Sequence, residues 1–315
     1  MKKYLKSLDL LWLSMLAFVL VSTTAIYLNK PSVGPDVLSA YDFNLTPLPI
    51  LKDGRISPPL LSAQGVLAVD LNSGIFIFEK NIHESLYPAS TTKLMTALIA
   101  LEQYDSDAKI TVPDFDVVGQ KMGLFAGEQM QVSQLVSAML IFSANDAAEV
   151  LARAYPSGRD GFIELMNEKA QALGLSNTHF ENPAGLDSEE NYSTAYDLYR
   201  LSRLAVSNSF IADTVSTKNV EIRSTDQKSV HRLQNTNELL GVVDGVSGIK
   251  TGWTQAAREN LITLLEREEQ KIILVVLGSQ DRFGETQQLI DWIFESYEWK
   301  SPQDIYPYYS LVSED

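Results

Sequence analysis

The stretch Pro88–Met95, PASTTKLM, places a serine and a lysine three residues apart. On a helix such residues share a face, with Cβ atoms roughly 5–6 Å apart, so the Lys93 amine can reach the Ser90 hydroxyl. A serine hydroxyl is a weak nucleophile until a base takes its proton. A lysine, ordinarily protonated up to a pKa of about 10.4, becomes that base only when its charged form is disfavoured. Burial, a second nearby cation and the positive end of a helix dipole all do this. Pro88 suits a helix start, and the LMTALIALE that follows is apolar, so a buried helix supplies two of the three. The second cation must come from elsewhere. The pair alone is weak, since a Ser-x-x-Lys is expected about once by chance in a chain of this length. Its plain alternative is a serine cap beside a solvated lysine.

Two further groups could complete the chemistry. Ser143-Ala144-Asn145 lies in IFSANDAAEV, between two apolar helical runs; its plain alternative is a helix cap. Lys250-Thr251-Gly252 lies in GIKTGWT, in strand-like sequence, where a solvated lysine on a strand edge is the alternative. That triplet is expected by chance only about a tenth of a time. Strict strand alternation puts Lys250 and Gly252 on one face and Thr251 on the other. Glycine at 252 would leave room for a peptide along the strand edge.

These residues need elements to carry them. GVLAVDLNSGIFIFEKN, residues 65–81, reads as two strands joined by the turn residues Asn72-Ser73-Gly74. A long region of helical spacing follows. Within it Phe162, Leu165, Met166, Ala170 and Leu173 share a face, and Gly174 sits where a C-cap belongs. GIKTGWT, NLITLLE and KIILVVLG then read as three strands, with Arg267–Gln270, REEQ, as the turn between the last two. Residues 283–299 close the pattern as an amphipathic helix. Hairpin-length connections make the strands antiparallel. The expected fold is α+β: a sheet of about five strands, covered by helices, with an all-helical block inserted between its N- and C-terminal strands.

The 315 residues, 45% hydrophobic and 21% charged, have globular composition. The net charge of −15 argues against a nucleic-acid partner. Without cysteine there is no thiol catalysis, disulfide or Cys-based zinc site, and the three histidines form no metal motif. No cofactor is expected. Leu10–Leu28 is a run of 19 residues without a charge, preceded by Lys2, Lys3 and Lys6. At 1.5 Å per residue it spans about 28 Å, close to the hydrocarbon thickness of a membrane. Residues 1–30 therefore read as an anchor with a cytoplasmic N-terminus, or alternatively as a signal peptide, the rest lying outside the cytoplasm. Residues 31–60 hold six of the twelve prolines and read as an extended tether. Residues 61–300 are expected to form the catalytic domain and 301–315 a short tail.

The three groups, in this order, form the trio of penicillin-binding proteins and class A β-lactamases. The sequence as a whole resembles the serine D-alanyl-D-alanine carboxypeptidases, the low-molecular-mass penicillin-binding proteins. PASTTKLMTALIALE, GEQMQVSQLVSAMLIFSANDAAEVLA, MNEKAQALGLSNTHFENPAGLD, YSTAYDL and IKTGWT carry the resemblance, over roughly residues 60–295. It implies the β-lactamase/DD-peptidase fold, with the site between the sheet edge and the helical block. Ser90 matches the acylated nucleophile and Lys93 its base. Ser143 matches the proton shuttle to the leaving amine, and Asn145 the residue that orients the substrate amide and Lys93. Lys250 matches the missing second cation, whose charge also favours the substrate carboxylate; Thr251 matches a hydroxyl that assists carboxylate binding, which implies a local twist of the strand. The N–H groups of Ser90 and Trp253 match the oxyanion donors, and Arg282, in LGSQDRFGE, matches an arginine that holds the terminal carboxylate. The implied partners are peptidoglycan stem peptides ending in D-Ala-D-Ala, with β-lactams as covalent inhibitors. A DD-endopeptidase of the same family is the near alternative, and a catalytically silent wall-binding homologue the distant one. A β-lactamase fits less well, because the region of ENPAGLD follows the peptidase pattern. Two departures stand out. Ala257-Arg258 replaces the usual Ala-Gly, and the residues after 300 leave no room for the additional β-rich domain and C-terminal anchor of many relatives.

Overall fold

In chain order the elements are β1 (Leu48–Leu51), the hairpin β2 (Gly65–Asp70) and β3 (Phe76–Lys80), and helix α1 (Lys93–Gln103). Helices α2 (Val132–Ile141), α3 (Asn145–Arg153), α4 (Gly158–Ala172), α5 (Ala195–Ser207) and α6 (Ser209–Ser216) complete the helical block. Two small hairpins interrupt it, β4 (Lys109–Thr111) with β5 (Gln129–Gln131) and β6 (Asn219–Arg223) with β7 (Val230–Gln234). Strands β8 (Val246–Thr254), β9 (Arg258–Arg267) and β10 (Gln270–Ser279) follow, then α7 (Arg282–Ser296), β11 (Tyr297–Lys300) and the short α8 (Pro302–Ile305). The computed structural model describes residues 46–52, 54 and 56–305. The apolar run Leu10–Leu28 lies outside them, and among the described residues no helix is long and apolar enough to cross a membrane.

The expected sheet is present, with strand order β3-β2-β10-β9-β8 and every pair antiparallel. Its central strands are apolar on both faces because both faces are covered. Leu67 and Val69 of β2, with Ile273, Val275 and Leu277 of β10, join the core under the helical block. Val66, Ala68, Ile272, Leu274 and Val276 point the other way and pack with Leu289, Ile290 and Ile293 of α7. That two-sided burial is why these runs show little polar alternation. Helix α4 buries Phe162, Met166 and Ala170 as its spacing requires, and Gly174 has the positive φ of 65° that a C-cap glycine supplies.

Three features depart from the sequence reading. The helical block is not all helical, since it carries the two small hairpins. In β6–β7 only Ile222 and Leu233 are buried, so the apolar signal there is thin. The last helix ends at Ser296, and residues 297–300 form a strand. That strand pairs with residues 48–51, inside the stretch expected to be a tether. The folded unit accordingly runs from Thr46 to Ile305, starting earlier than residue 61. Pro49 is compatible with a two-stranded ribbon, where a strand has an open edge for the missing N–H.

Candidate active site

Ser90 lies in a 3-10 turn, Ala89–Thr92, rather than in the α-helix, which starts at Lys93. In a 3-10 turn residues i and i+3 eclipse, so the two side chains are brought together more directly than α-helical geometry would do. Lys93 Nζ donates to Ser90 Oγ at 2.7 Å. It also donates to the carbonyl of Ala184 at 2.6 Å. Lys93 is fully buried. Burial pushes its amine well below the ordinary lysine range, the Lys250 ammonium pushes it the same way, and the Asp146 carboxylate pulls it back up.

Lys250, on the edge strand β8, is 1% exposed and donates to the carbonyl of Thr251 at 3.1 Å. Burial, followed by the charge of Arg282, pulls its pKa down to about 7. The Thr251 hydroxyl is 2.6 Å from that of Thr236, and both line the cleft. Thr251 and Gly252 both line the cleft, which lies along the edge strand β8.

Gly252 lines the cleft, and its neighbours give a further reason for glycine. A Cβ there would lie 3.1 Å from Ala89 Cβ, 3.2 Å from Pro88 O and 3.2 Å from Ser90 N, so it would press on the nucleophile turn. Trp253 is 64% exposed and lines the same cleft as Ser90. Arg282, the first residue of α7, donates from Nη1 to Gly252 O at 3.0 Å. Its buried Nε has no hydrogen-bond partner.

Ser143 and Asn145 form the opposite wall. Ser143 has φ 63°, a left-handed conformation that costs a non-glycine residue roughly 1–2 kcal/mol. Such strain is concentrated at functional sites. Asn145 opens α3 and donates from Nδ2 to Val118 O at 2.7 Å, while its backbone N–H donates to Gln120 O at 2.7 Å. Its side-chain amide thus holds the wall loop, whereas Lys93 is held by Ser90 and Ala184. The cleft between the walls has a volume of about 750 Å³ and is lined by Ser90, Ser143, Asn145, Thr251, Gly252, Trp253 and Arg282 among others.

The sequence profile of D-alanyl-D-alanine carboxypeptidases matches residues 53–281. The Bacillus subtilis D-alanyl-D-alanine carboxypeptidase DacF is 32% identical over 259 residues, 78% of this chain and 66% of that protein. This chain thus spans about two thirds of the length of that relative. DacB2 of Mycobacterium tuberculosis is 30% identical over 251 residues, covering 76% of this chain and 85% of the relative. The crystal structure of a Streptomyces DD-transpeptidase superposes with a TM-score of 0.72 at 31% identity, over 76% of this chain and all of the other.

This chain belongs to the D-alanyl-D-alanine carboxypeptidase family.

Within that family its Arg258 is a local matter. Arg258 has φ 60° and an exposed side chain, at the end of the turn from β8 into β9. Glycine is usual there because the turn requires a left-handed residue, and arginine takes the same conformation at some cost.

Motif reading missed the groups that aim the carboxypeptidase site. Ala184 contributes only a carbonyl, which no side-chain pattern reveals. Asn182 shapes its loop, with Oδ1 accepting from the N–H groups of Ala184, Gly185 and Leu186 at 3.2, 2.7 and 2.9 Å. Asp146 accepts from the N–H groups of Met122, Gly123, Leu124 and Ala147 at 2.9–3.1 Å. Asn260, fully buried on β9, donates to Tyr87 O at 2.9 Å and Pro88 O at 3.1 Å, just before the nucleophile.

Proposed function

We propose that this protein is a serine-type D-Ala-D-Ala carboxypeptidase that trims peptidoglycan stem peptides through an acyl-enzyme on Ser90. The observation that carries the reading is the buried Lys93 amine 2.7 Å from Ser90 Oγ. With Lys93 neutral, that contact reverses direction: the hydroxyl donates its proton to the amine lone pair as Oγ attacks the carbonyl between the two D-alanines. The developing oxyanion is met by the N–H groups of Ser90 and Trp253, and one such donor is worth about 3–4 kcal/mol in the transition state. Ser143 relays a proton to the leaving amine, the Oγ–acyl bond forms as the C–N bond breaks, and D-alanine departs. Water then adds to the ester, Ser90 recovers its proton, and the shortened peptide leaves with a new carboxylate. Lys250, the Thr251 hydroxyl and Arg282 hold the terminal carboxylate of the substrate. The planar guanidinium, whose buried Nε lacks a partner, suits that role. Asn145 orients the substrate amide.

The uncharged run Leu10–Leu28, with lysines before it, supports a single-pass anchor that leaves the catalytic domain outside the cytoplasm, where its substrate lies. Deleting that run should release the protein from washed membranes; retention would sink the anchor. For the chemistry, wild type should be labelled by a fluorescent penicillin and should release free D-alanine from muropeptides. Ser90→Ala and Lys93→Ala should do neither while keeping their melting transition. Labelling of Ser90→Ala, or full acylation of Lys93→Ala, would refute the assigned roles.

A further inference from the structure

The cleft does not end at its catalytic residues. Its lining residues Val118 and Leu186 are shared with a second cavity of about 410 Å³. Asp116, Val117, Glu149, Arg153 and Arg159 complete that second cavity. A substrate whose terminal carboxylate is held at Lys250, Thr251 and Arg282 can extend its upstream chain past Val118 and Leu186 into that cavity.

Three charged groups at the second cavity are arranged unusually. Glu149 of α3 is buried, its side chain 5% exposed. Arg159 of α4 donates to both of its oxygens through Nε, at 3.2 and 3.0 Å. Arg153, one turn along α3, approaches the same carboxylate through Nε at 3.3 Å, with its guanidinium over the Phe115 ring at 5.0 Å. One buried carboxylate therefore serves two guanidinium groups. Because both arginines use Nε, their Nη edges remain for another acceptor; among the described residues, Arg159 Nη1 has only the fully exposed Asp160, at 3.8 Å. The remaining acid of the cavity, Asp116, lies 3.5 Å from Lys121. A planar fork held in place by a buried anion is the geometry that receives a carboxylate.

We propose that Arg153 and Arg159 form a subsite for a carboxylate borne by the substrate upstream of the scissile bond. The inference rests on reading the cleft as a peptidase site and deepens it: it makes the enzyme selective for acidic stem peptides. Glu149 is a positioning residue in it, bonded to the arginines and not to the ligand. The alternative is a purely structural role, in which Glu149 merely ties α3 to α4.

Two synthetic peptides ending in D-Ala-D-Ala, alike except for one upstream glutamate or glutamine, separate these readings. Their affinities are measured by calorimetry on Ser90→Ala protein, and their hydrolysis is measured on wild type. The glutamate peptide should bind roughly ten-fold more tightly at low salt, with the margin shrinking as ionic strength rises. In wild type the difference should appear in KM and not in kcat. Arg153→Gln and Arg159→Gln should each reduce the preference, and together abolish it, without changing acylation by penicillin. Equal binding of the two peptides, or a preference that survives both substitutions in protein that still acylates, overturns the subsite. Preferential binding without any hydrolysis by wild type would instead sink the peptidase reading and leave the carboxylate site standing.

Discussion

The two walls of the cleft are held by different forces. The Ser90–Lys93 wall is interlocked by close packing: α1 is buried along Lys93–Ala100, a Cβ on Gly252 would lie 3.1 Å from Ala89 Cβ, and a Cβ on Gly185 would lie 1.8 Å from Ala89 O. The Ser143–Asn145 wall hangs on polar bonds. The loop of residues 113–127 is largely exposed, and it is secured by the three N–H groups, of Met122, Gly123 and Leu124, that Asp146 accepts from and by the two bonds that Asn145 makes to Val118 and Gln120. The contrast teaches where precision comes from. The nucleophile and its base need sub-ångström placement in a dry site, which packing supplies. The opposite wall must admit a peptide, and a loop fastened by a few side chains allows that.

This difference can be broken from either side. Gly185→Ala combines a backbone clash with a φ of 82°, so we expect it to abolish acylation and to lower the melting temperature more than any wall-loop variant. Asp146→Ala orphans several N–H groups and should cost about 3 kcal/mol of stability. It should slow acylation without abolishing it, because Ser90 and Lys93 stay in place. It should also let Lys93 lose its proton at still lower pH, since the Asp146 carboxylate is what pulls the amine up. If Gly185→Ala acylates normally while Asp146→Ala does not, the assignment of packing to one wall and polar bonding to the other is wrong. The smallest effect belongs to Arg258→Gly. Relieving a left-handed non-glycine residue there should stabilise the fold by about 1 kcal/mol, read as a raised melting temperature, with acylation unchanged. A loss of stability would show that the Arg258 side chain contributes more than its backbone costs.

The sheet was legible because each central strand is buried on both faces and so reads as an unbroken apolar run between turn residues. Ser90, Lys93 and Lys250 stood out because their types and spacing are tied to one chemistry, and the fold brings Lys93 Nζ to 2.7 Å from Ser90 Oγ. What stayed hidden has a common physical reason. Residues 48–51 and 297–300 are short, partly polar strands nearly 250 positions apart, and neither has a pattern without the other. The left-handed φ of Ser143 and the carbonyl of Ala184 are backbone properties that side-chain spacing does not encode. Asp146 and Asn260 look like any helix-start aspartate or strand-end asparagine until the chain they bind is folded over them. Gly252 was visible as a special residue, but the neighbour that demands it, the nucleophile turn, came only with the tertiary structure.

The central claim is that Lys93 is a base because it is buried, with Lys250 adding to the effect. The direct test is an NMR titration of the Lys93 amine, assigned by its loss in Lys93→Arg, in wild type and in Lys250→Met. Because two buried amines titrate as a coupled pair, both resonances should be followed. We predict that Lys93 in wild type loses its proton well below the ordinary lysine range, and that Lys250 titrates at about 7. In Lys250→Met the Lys93 midpoint should move upward without returning to the ordinary range, because burial is the larger cause. A Lys93 amine that titrates like a solvated lysine in wild type would contradict the account.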